Sequence, residues 1–216
     1  MNMDLTELVF ILDRSGSMGG LESDTIGGFN RMIARQKKEE KEVNVTTILF
    51  DDEVEVIHDR FPIAIIEPLT EKEYFVRGCT ALLDAVGTRI EKIDNVQKHL
   101  PEQHRAGKVI FVITTDGQEN SSREISYEKI KKMITRQQEK YGWEFIFLGA
   151  NMDAIGEAGK LGIRADRAVR YECDGAGTLL NYSVLSETVG KLRCCEAVAA
   201  DWSKDITDHY NKKNRK

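Results

Sequence analysis

Three oxygen-bearing side chains alternate along one short loop near the start of the chain. The segment VFILDRSGSMGG, residues 9–20, is an apolar run that stops at Asp13 and then places Ser15 and Ser17 at alternate positions. In an extended turn, side chains two residues apart project to the same side, whereas adjacent side chains diverge. These three side chains can therefore converge on one point, and Arg14 need not join them. Carboxylate and hydroxyl oxygens gathered in this way are ligands for a hard divalent cation.

Two later segments carry oxygen donors of the same kind. Thr80 lies in RGCTALLDA, at the start of a predicted helix, and Asp116 follows the apolar run VIFVIT in the segment TTDGQEN. The complete candidate set consists of two carboxylates and three hydroxyls: Asp13, Ser15, Ser17, Thr80 and Asp116. Because the set contains no nitrogen or sulfur, Mg²⁺ or Mn²⁺ is its natural occupant.

The elements that must position these donors alternate between strands and helices. ELVFILD, KVIFVIT and WEFIFLGA are apolar strands that alternate with helical segments, which predicts parallel strands covered on both faces. VNVTTILF and EVEVIHDRF, separated by Asp51 and Asp52, predict an antiparallel hairpin at one edge. The expected fold class is α/β, with a doubly wound, mostly parallel central sheet, one antiparallel edge strand and helices on both faces. Ligands bind such sheets beyond the carboxyl ends of the strands, where the candidate donors lie.

Two helices of this pattern carry specific expectations. The first, GLESDTIGGFNRMIARQKKEE, contains Gly27 and Gly28, each of which costs up to about 1 kcal/mol relative to alanine. Close packing of this helix on the sheet would explain the pair. The last element is predicted to be one long helix over about residues 179–200.

Together the three loops resemble the von Willebrand factor type A domains. The metal-ion-dependent adhesion site (MIDAS) of that family uses D-x-S-x-S in its first loop, a threonine in its second and an aspartate in its third, and DRSGS, GCTALLDA and TTDGQEN match all five positions. FIFLGANMDAIGEAGKLGI also looks like the late strand and helix of bacterial and phage members. The resemblance implies that Ser15 and Ser17 coordinate the cation directly. It implies that Asp13, Thr80 and Asp116 do so directly or through water.

The family resemblance also implies that a carboxylate from a partner protein completes the coordination. The charge balance gives this a physical basis, because two carboxylates only neutralise a divalent cation and hydroxyls add no charge. The metal then remains electrophilic enough to attract one more anionic oxygen. The sequence thus predicts a protein-interaction module that is not an enzyme and whose partner presents an Asp or Glu side chain.

An enzyme remains the alternative. A Mg²⁺-dependent phosphohydrolase could use Asp13 as its nucleophile while Asp116 holds the metal. Against it, no second aspartate stands at Ser15 to act as acid and base, and no lysine or arginine is assigned to clamp a phosphate. Taken singly, the loops also fit a simpler interpretation in which Asp13 or Ser17 caps a helix and Asp116 lies in an ordinary turn.

Acidic residues near the candidate loops are predicted to have supporting or solvated positions. Asp84, one helical turn after Thr80, is expected to support the site rather than to bind the ion. Glu119, Glu124 and Glu128 are expected to line a solvated helix face.

Composition limits the remaining possibilities. The chain has 216 residues, 41% hydrophobic and 31% charged, which predicts a single domain over residues 1–210 and a short basic tail over 211–216. A net charge of −5 argues against nucleic-acid and anionic-membrane partners. The start MNMDLTEL resembles no targeting signal and no apolar run is long enough to span a membrane, so a cytoplasmic location is expected. The four cysteines are expected to be reduced thiols: Cys79, Cys173, Cys194 and Cys195.

Overall fold

The computed structural model describes residues 1–150, 153–172 and 174–214. Cys173, one of the predicted thiols, lies outside the described residues, as do residues 151 and 152 and residues 215 and 216 of the predicted tail. The strands are β1 (Asn2–Asp13), β2 (Glu42–Phe50), β3 (Val54–Pro62), β4 (Ala106–Thr115), β5 (Glu144–Ala150) and β6 (Ala168–Tyr171). The helices are α1 (Glu22–Gln36), α2 (Leu82–His99), α3 (Tyr127–Tyr141), α4 (Ala154–Leu161), α5 (Gly175–Arg193) and α6 (Lys204–Asn214).

The described strands form one sheet in the order β3-β2-β1-β4-β5-β6. β1 pairs in parallel with β2 and β4, and the parallel arrangement continues through β5 to β6. β3 is the antiparallel edge strand, joined to β2 by the predicted hairpin. These pairings confirm the predicted α/β fold class and the predicted position of the hairpin.

The central strand β1 contributes side chains to both faces of the sheet. Leu8, Phe10 and Leu12 pack into a core that includes residues of α1 and α5, whereas Val9 and Ile11 pack into a second core with α2 and α3. A strand covered on both faces is apolar at successive positions, which is why this run shows no polar alternation. The two cores hold β1 in place, and its carboxyl end is thereby fixed.

The strand ends lie level where the chain leaves the sheet. Asp13 pairs with Phe50 at the end of β2, and Leu12 pairs with Thr114 near the end of β4. The chain then passes from β1 to α1 on one face and from β4 to α3 on the other. The crevice between these diverging connections is the usual ligand position in such sheets.

Close packing at Gly28 involves a helix and not the sheet. A Cβ added at Gly28 would lie 2.2 Å from Cδ2 of Tyr182 on α5, whereas a Cβ at Gly27 would have only Arg31 Nη2 within contact range, at 3.5 Å. The expectation of close packing is therefore correct for one glycine of the pair, but its partner was wrongly taken to be the sheet.

The C-terminal part differs from the single helix that was predicted over residues 179–200. α5 begins earlier because Asp174 caps it, accepting a hydrogen bond from Gly177 N at 2.6 Å. It ends at residue 193 because Cys195 adopts a left-handed conformation with φ 58°, and Glu196 N donates to Lys191 O at 2.9 Å. The hydrophobic period alone did not reveal this termination.

A separate helix, α6, follows after a loop. Its residue Ile206 is buried in the core that also contains α5, and the helix contacts the edge strand β6. Residues 211–214 of the predicted tail form its last turn. Among the helices that the structure describes, none is both long and apolar enough to cross a membrane.

Candidate metal centre

Asp13 ends β1 with its carboxylate buried and fully hydrogen-bonded. Its Oδ1 accepts from Ser15 N at 2.7 Å, and its Oδ2 accepts from Thr115 Oγ1 at 2.5 Å. Burial raises the pKa of Asp13 to about 6, an effect that the hydrogen bonds from Thr115 and Ser15 only partly oppose, and the charge of Asp116 raises it further. The site thus holds a carboxylate whose ionised form lacks a compensating positive charge.

The side chains of the other four predicted metal ligands are linked by short hydrogen bonds across the three loops. Thr80 Oγ1 donates to Ser15 Oγ at 3.1 Å, the Ser15 and Ser17 hydroxyls are 3.1 Å apart, and Ser17 Oγ donates to Asp116 Oδ1 at 2.5 Å. Ser15 also holds Asp13 through its backbone N–H. The structure therefore brings all five predicted side chains together at the carboxyl ends of β1 and β4.

Gly117 leaves the space beside these hydroxyls open. A Cβ at this position would lie 2.8 Å from Thr80 Oγ1 and 3.2 Å from Ser17 Oγ, inside the normal contact distance. Any larger residue would therefore press on the donors from the third loop.

Asn120 joins the second and third loops. Its Oδ1 accepts from Thr80 N at 2.9 Å, and its own backbone N–H donates to Thr80 O at 3.1 Å. Neither Asn120 nor Thr115 was predicted from the sequence to take part in the site, although both lie in the segment TTDGQEN that contains Asp116. Nothing in their spacing indicated contacts to loops that lie 40 and 102 positions away.

Asp84 supports the loop that follows Asp116. Its carboxylate accepts backbone N–H bonds from Arg123, Glu124 and Ile125 at 2.7 to 3.0 Å. This agrees with the supporting position predicted for it.

Glu119 is not on a solvated helix face, contrary to the prediction. It precedes α3, and its Oε2 accepts from Leu83 N at 3.0 Å, at the start of α2. Its Oε1 accepts from the backbone N–H groups of Ser121 and Ser122. It folds the third loop onto α2, because a carboxylate satisfies free N–H groups at a helix start.

Neither the helix-capping interpretation of the first loop nor the phosphohydrolase alternative is favoured by this geometry. α1 has Leu21 at its N-cap with no side-chain hydrogen bond, so neither Asp13 nor Ser17 caps it. The neighbouring Arg14 is buried and pairs with Asp51, away from a phosphate-clamping position.

The donor chemistry fits a hard divalent cation. Burial raises the pKa of Asp116 as well as that of Asp13, and the partners found for these carboxylates are hydroxyl and backbone N–H groups. Two acidic groups placed close together without a cationic side chain are the arrangement that a bound cation would neutralise. Over residues 1–150, 153–172 and 174–214, no group of three or more His, Cys, Asp or Glu side chains is placed to hold a metal ion, and the candidate centre itself has only two carboxylates beside its hydroxyls.

Comparison with solved structures identifies the architecture. The vWF domain of the type V pili tip protein Mfa5 from Porphyromonas gingivalis matches with a TM-score of 0.63 at 11% identity, covering 90% of this chain and 98% of that one. Proximal thread matrix protein 1 from the mussel byssus, solved with a zinc-occupied MIDAS motif, matches with 0.54 at 17% identity, covering 88% of this chain and 46% of that one. Manganese-loaded TRAP protein from Plasmodium vivax matches with 0.57 at 14% identity, covering 83% and 73%.

These similarities show the fold. The chain has the von Willebrand factor type A fold, and it spans less than half of the mussel protein that it matches. No protein-family model matches the chain, and no curated protein sequence matches it.

Proposed function

We propose that this chain binds Mg²⁺ or Mn²⁺ through Asp13, Ser15, Ser17, Thr80 and Asp116 and uses the ion to hold a carboxylate of a protein partner. The observation that carries the proposal is the convergence of two carboxylates and three hydroxyls from three loops at one strand-end crevice. The neighbours solved with zinc and manganese lend support from the same fold. The site would then be a complete MIDAS.

The residues divide this work between orientation and charge. Thr115 and the Ser15 backbone fix the Asp13 carboxylate, so that it need not reorganise to meet an ion. Asp116 supplies the second negative charge from the opposite loop, and the hydroxyls of Ser15, Ser17 and Thr80 supply neutral oxygens. When bound, the cation would supply electrophilic attraction for one further anionic oxygen.

The partner is proposed to be a protein that presents an Asp or Glu side chain, and not a nucleic acid or a membrane. Neighbours of this fold are named as a thread matrix protein and a pili tip protein. We propose a binding module on the same basis, with no catalytic residue.

We propose that the protein is cytoplasmic and of the bacterial or phage type. Cys79, Cys194 and Cys195 are exposed free thiols, which suits a reducing compartment. A single domain over residues 1–210 is likewise proposed, and residues 211–214 of the predicted basic tail over 211–216 continue α6.

Calorimetric titration of the metal-free protein with Mn²⁺ and Mg²⁺ tests the ion site. Asp13→Asn should remove most of the heat of binding, because it removes one of the two charges that compensate the cation. Glu7→Gln is the matched control, since Glu7 is also a fully buried carboxylate on β1 but lies away from the strand end. Undiminished Mn²⁺ binding by Asp13→Asn would refute the assignment.

Capture of partners from source-cell lysate, in Mg²⁺ and again in EDTA, tests whether the ion holds a protein partner. A true partner should be lost in EDTA, and Thr80→Ala should lose it while retaining measurable cation affinity. A partner that binds Thr80→Ala as tightly as the unchanged protein would contradict the role of the ion in binding.

The phosphohydrolase alternative has its own assay. We expect no Mg²⁺-dependent turnover of a generic aryl phosphate, because Ser15 stands where a second aspartate would act as acid and base, and Arg14 is buried and paired with Asp51 rather than placed to clamp a phosphate. Turnover that Asp13→Asn abolishes would reverse the order of the two candidates.

A further inference from the structure

Arg14 is a buried cation inside the first metal loop. It occupies the first variable position of the D-x-S-x-S motif and is 0% exposed. Its Nε donates to Asp51 Oδ2 at 2.8 Å, and its Nη1 donates to Glu55 Oε2 at 2.6 Å. Burying a guanidinium costs free energy unless it is well paired, so the two carboxylate partners of Arg14 are needed to hold it inside this loop.

The partner of Arg14, Asp51, contacts both of the first two metal loops. Asp51 is also fully buried, and its Oδ2 accepts a second hydrogen bond from Arg77 Nε at 2.8 Å. Its backbone carbonyl accepts from Ala81 N, the residue directly after Thr80, at 2.8 Å. One residue of the β2–β3 turn therefore holds the residue after Asp13 and the residue after Thr80.

Backbone contacts reinforce this junction. Arg14 N donates to Phe50 O at 2.8 Å, and Arg77 N donates to Arg14 O at 2.9 Å. The two guanidinium groups also lie over the ring of Phe75, at 5.4 and 5.7 Å from its centroid. The β2–β3 turn and the first two loops are thus one bonded unit.

We propose that Arg14 and Asp51 are positioning residues of the metal site, which fix the separation between the hydroxyls of Ser15 and Thr80. This inference rests on the proposed metal-binding function. It adds the β2–β3 turn to the three loops as a fourth segment of the centre. Asn120 already ties the second loop to the third, so the Arg14 and Asp51 pair completes the set of links between the loops.

Mn²⁺ affinity of the metal-free protein, measured by calorimetry, tests the proposal. Asp51→Asn should weaken Mn²⁺ binding about tenfold, the lower end of what loss of an outer support costs metal sites. Glu7→Gln is the matched control, because Glu7 is an equally buried carboxylate that pairs with an arginine, Arg60, at 2.6 Å. Both variants should lower the free energy of unfolding, but only Asp51→Asn should change the affinity.

A gentler pair of variants keeps the test decisive if Asp51→Asn does not fold. Arg14→Lys retains the positive charge that compensates Asp51 and loses the planar fork that also reaches Glu55. Its control is Arg60→Lys, which loses the corresponding fork on Glu7. We expect weaker Mn²⁺ binding in Arg14→Lys and unchanged binding in Arg60→Lys.

The possible outcomes separate this inference from the function on which it rests. Wild-type Mn²⁺ affinity in Arg14→Lys, together with lost affinity in Asp13→Asn, would overturn the positioning role and leave the metal site standing. Equal loss in Arg14→Lys and Arg60→Lys would also overturn it, because the effect would then follow stability alone. Undiminished binding in Asp13→Asn would overturn both.

Discussion

At the scale of single residues, the buried Asp13 carboxylate dominates the behaviour of the metal-free chain. Its pKa rises from 3.8 to about 6, chiefly because burial penalises the charged form. At neutral pH the folded protein must hold this charge near that of Asp116, with only hydrogen bonds to compensate it. The proposed cation site therefore lowers the stability of the metal-free fold at neutral pH.

This imbalance predicts an unusual pH dependence for the metal-free protein. Because the pKa of Asp13 is higher in the folded than in the unfolded state, the folded state binds more protons between about pH 4 and 6, and stability falls as the pH rises through that window. The full loss is about 3 kcal/mol from this group. Urea unfolding in EDTA at pH 4 to 7 should show it in the unchanged protein but not in Asp13→Asn. Parallel curves for the two proteins would contradict the unpaired buried charge.

The convergence of the candidate metal ligands was predictable from sequence, whereas the contacts that we propose to position them were not. The alternation of Asp13, Ser15 and Ser17 along one loop indicated these three candidates, and the position of Asp116 after a predicted strand indicated the fourth. Arg14 gives no such signal, because its role depends on Asp51, which lies 37 positions away. Burial of an arginine beside a metal loop is a tertiary property that no local pattern encodes.

At the scale of elements, α1 and α5 pack closely at Gly28, where the sequence predicted close packing of α1. Gly28 has no Cβ, and the ring of Tyr182 occupies the space that a Cβ would need. Two glycines in a helix lower its stability, so the sequence predicted that another element packs closely against them. It could not identify that element. Either α5 or the sheet could have packed against Gly28, and only the topology of the folded chain shows that it is α5.

Replacing each glycine of the pair separately tests this packing. Gly28→Ala should destabilise the protein by about 1–3 kcal/mol through overpacking against Tyr182, partly offset by better helix propensity. Gly27→Ala is the control and should be neutral or stabilising by up to about 1 kcal/mol, because its Cβ meets only the end of Arg31 at 3.5 Å. Chemical denaturation of both variants measures the difference. Equal stability would mean that the two helices are farther apart.

The alternation of elements was predicted because each strand is buried on both faces and each helix has an apolar face. The division of the last segment into α5 and α6 was not predicted, since it depends on a left-handed residue, Cys195, where glycine is the usual choice. Helix ends that lack glycine or proline carry little signal in a single sequence. The long-helix prediction failed at that point.

At the scale of the whole molecule, one sheet is shared by two cores, and the proposed metal site lies at the carboxyl ends of its central strands β1 and β4. The two apolar cores lie on the faces of the sheet and the five candidate ligands lie at the strand ends, so we expect the apolar packing not to depend on the ion. This separation differs from small metal-dependent folds, in which binding and folding are the same event. The fold and the site should accordingly respond separately to metal and to mutation.

We therefore expect the metal-free protein to unfold in one cooperative thermal transition, because both cores pack against the same six strands.

Mg²⁺ at about 100 times its dissociation constant should add about 2.7 kcal/mol to the free energy of unfolding by mass action. For a chain of this length that raises Tm by roughly 5–10 °C. Asp116→Asn should keep the single transition but lose most of the shift, as it removes a proposed ligand outside both cores. Calorimetric scans in EDTA and in Mg²⁺ measure both quantities. Two separate transitions in EDTA would contradict a single domain over residues 1–210, and a full Mg²⁺ shift in Asp116→Asn would place the ion elsewhere.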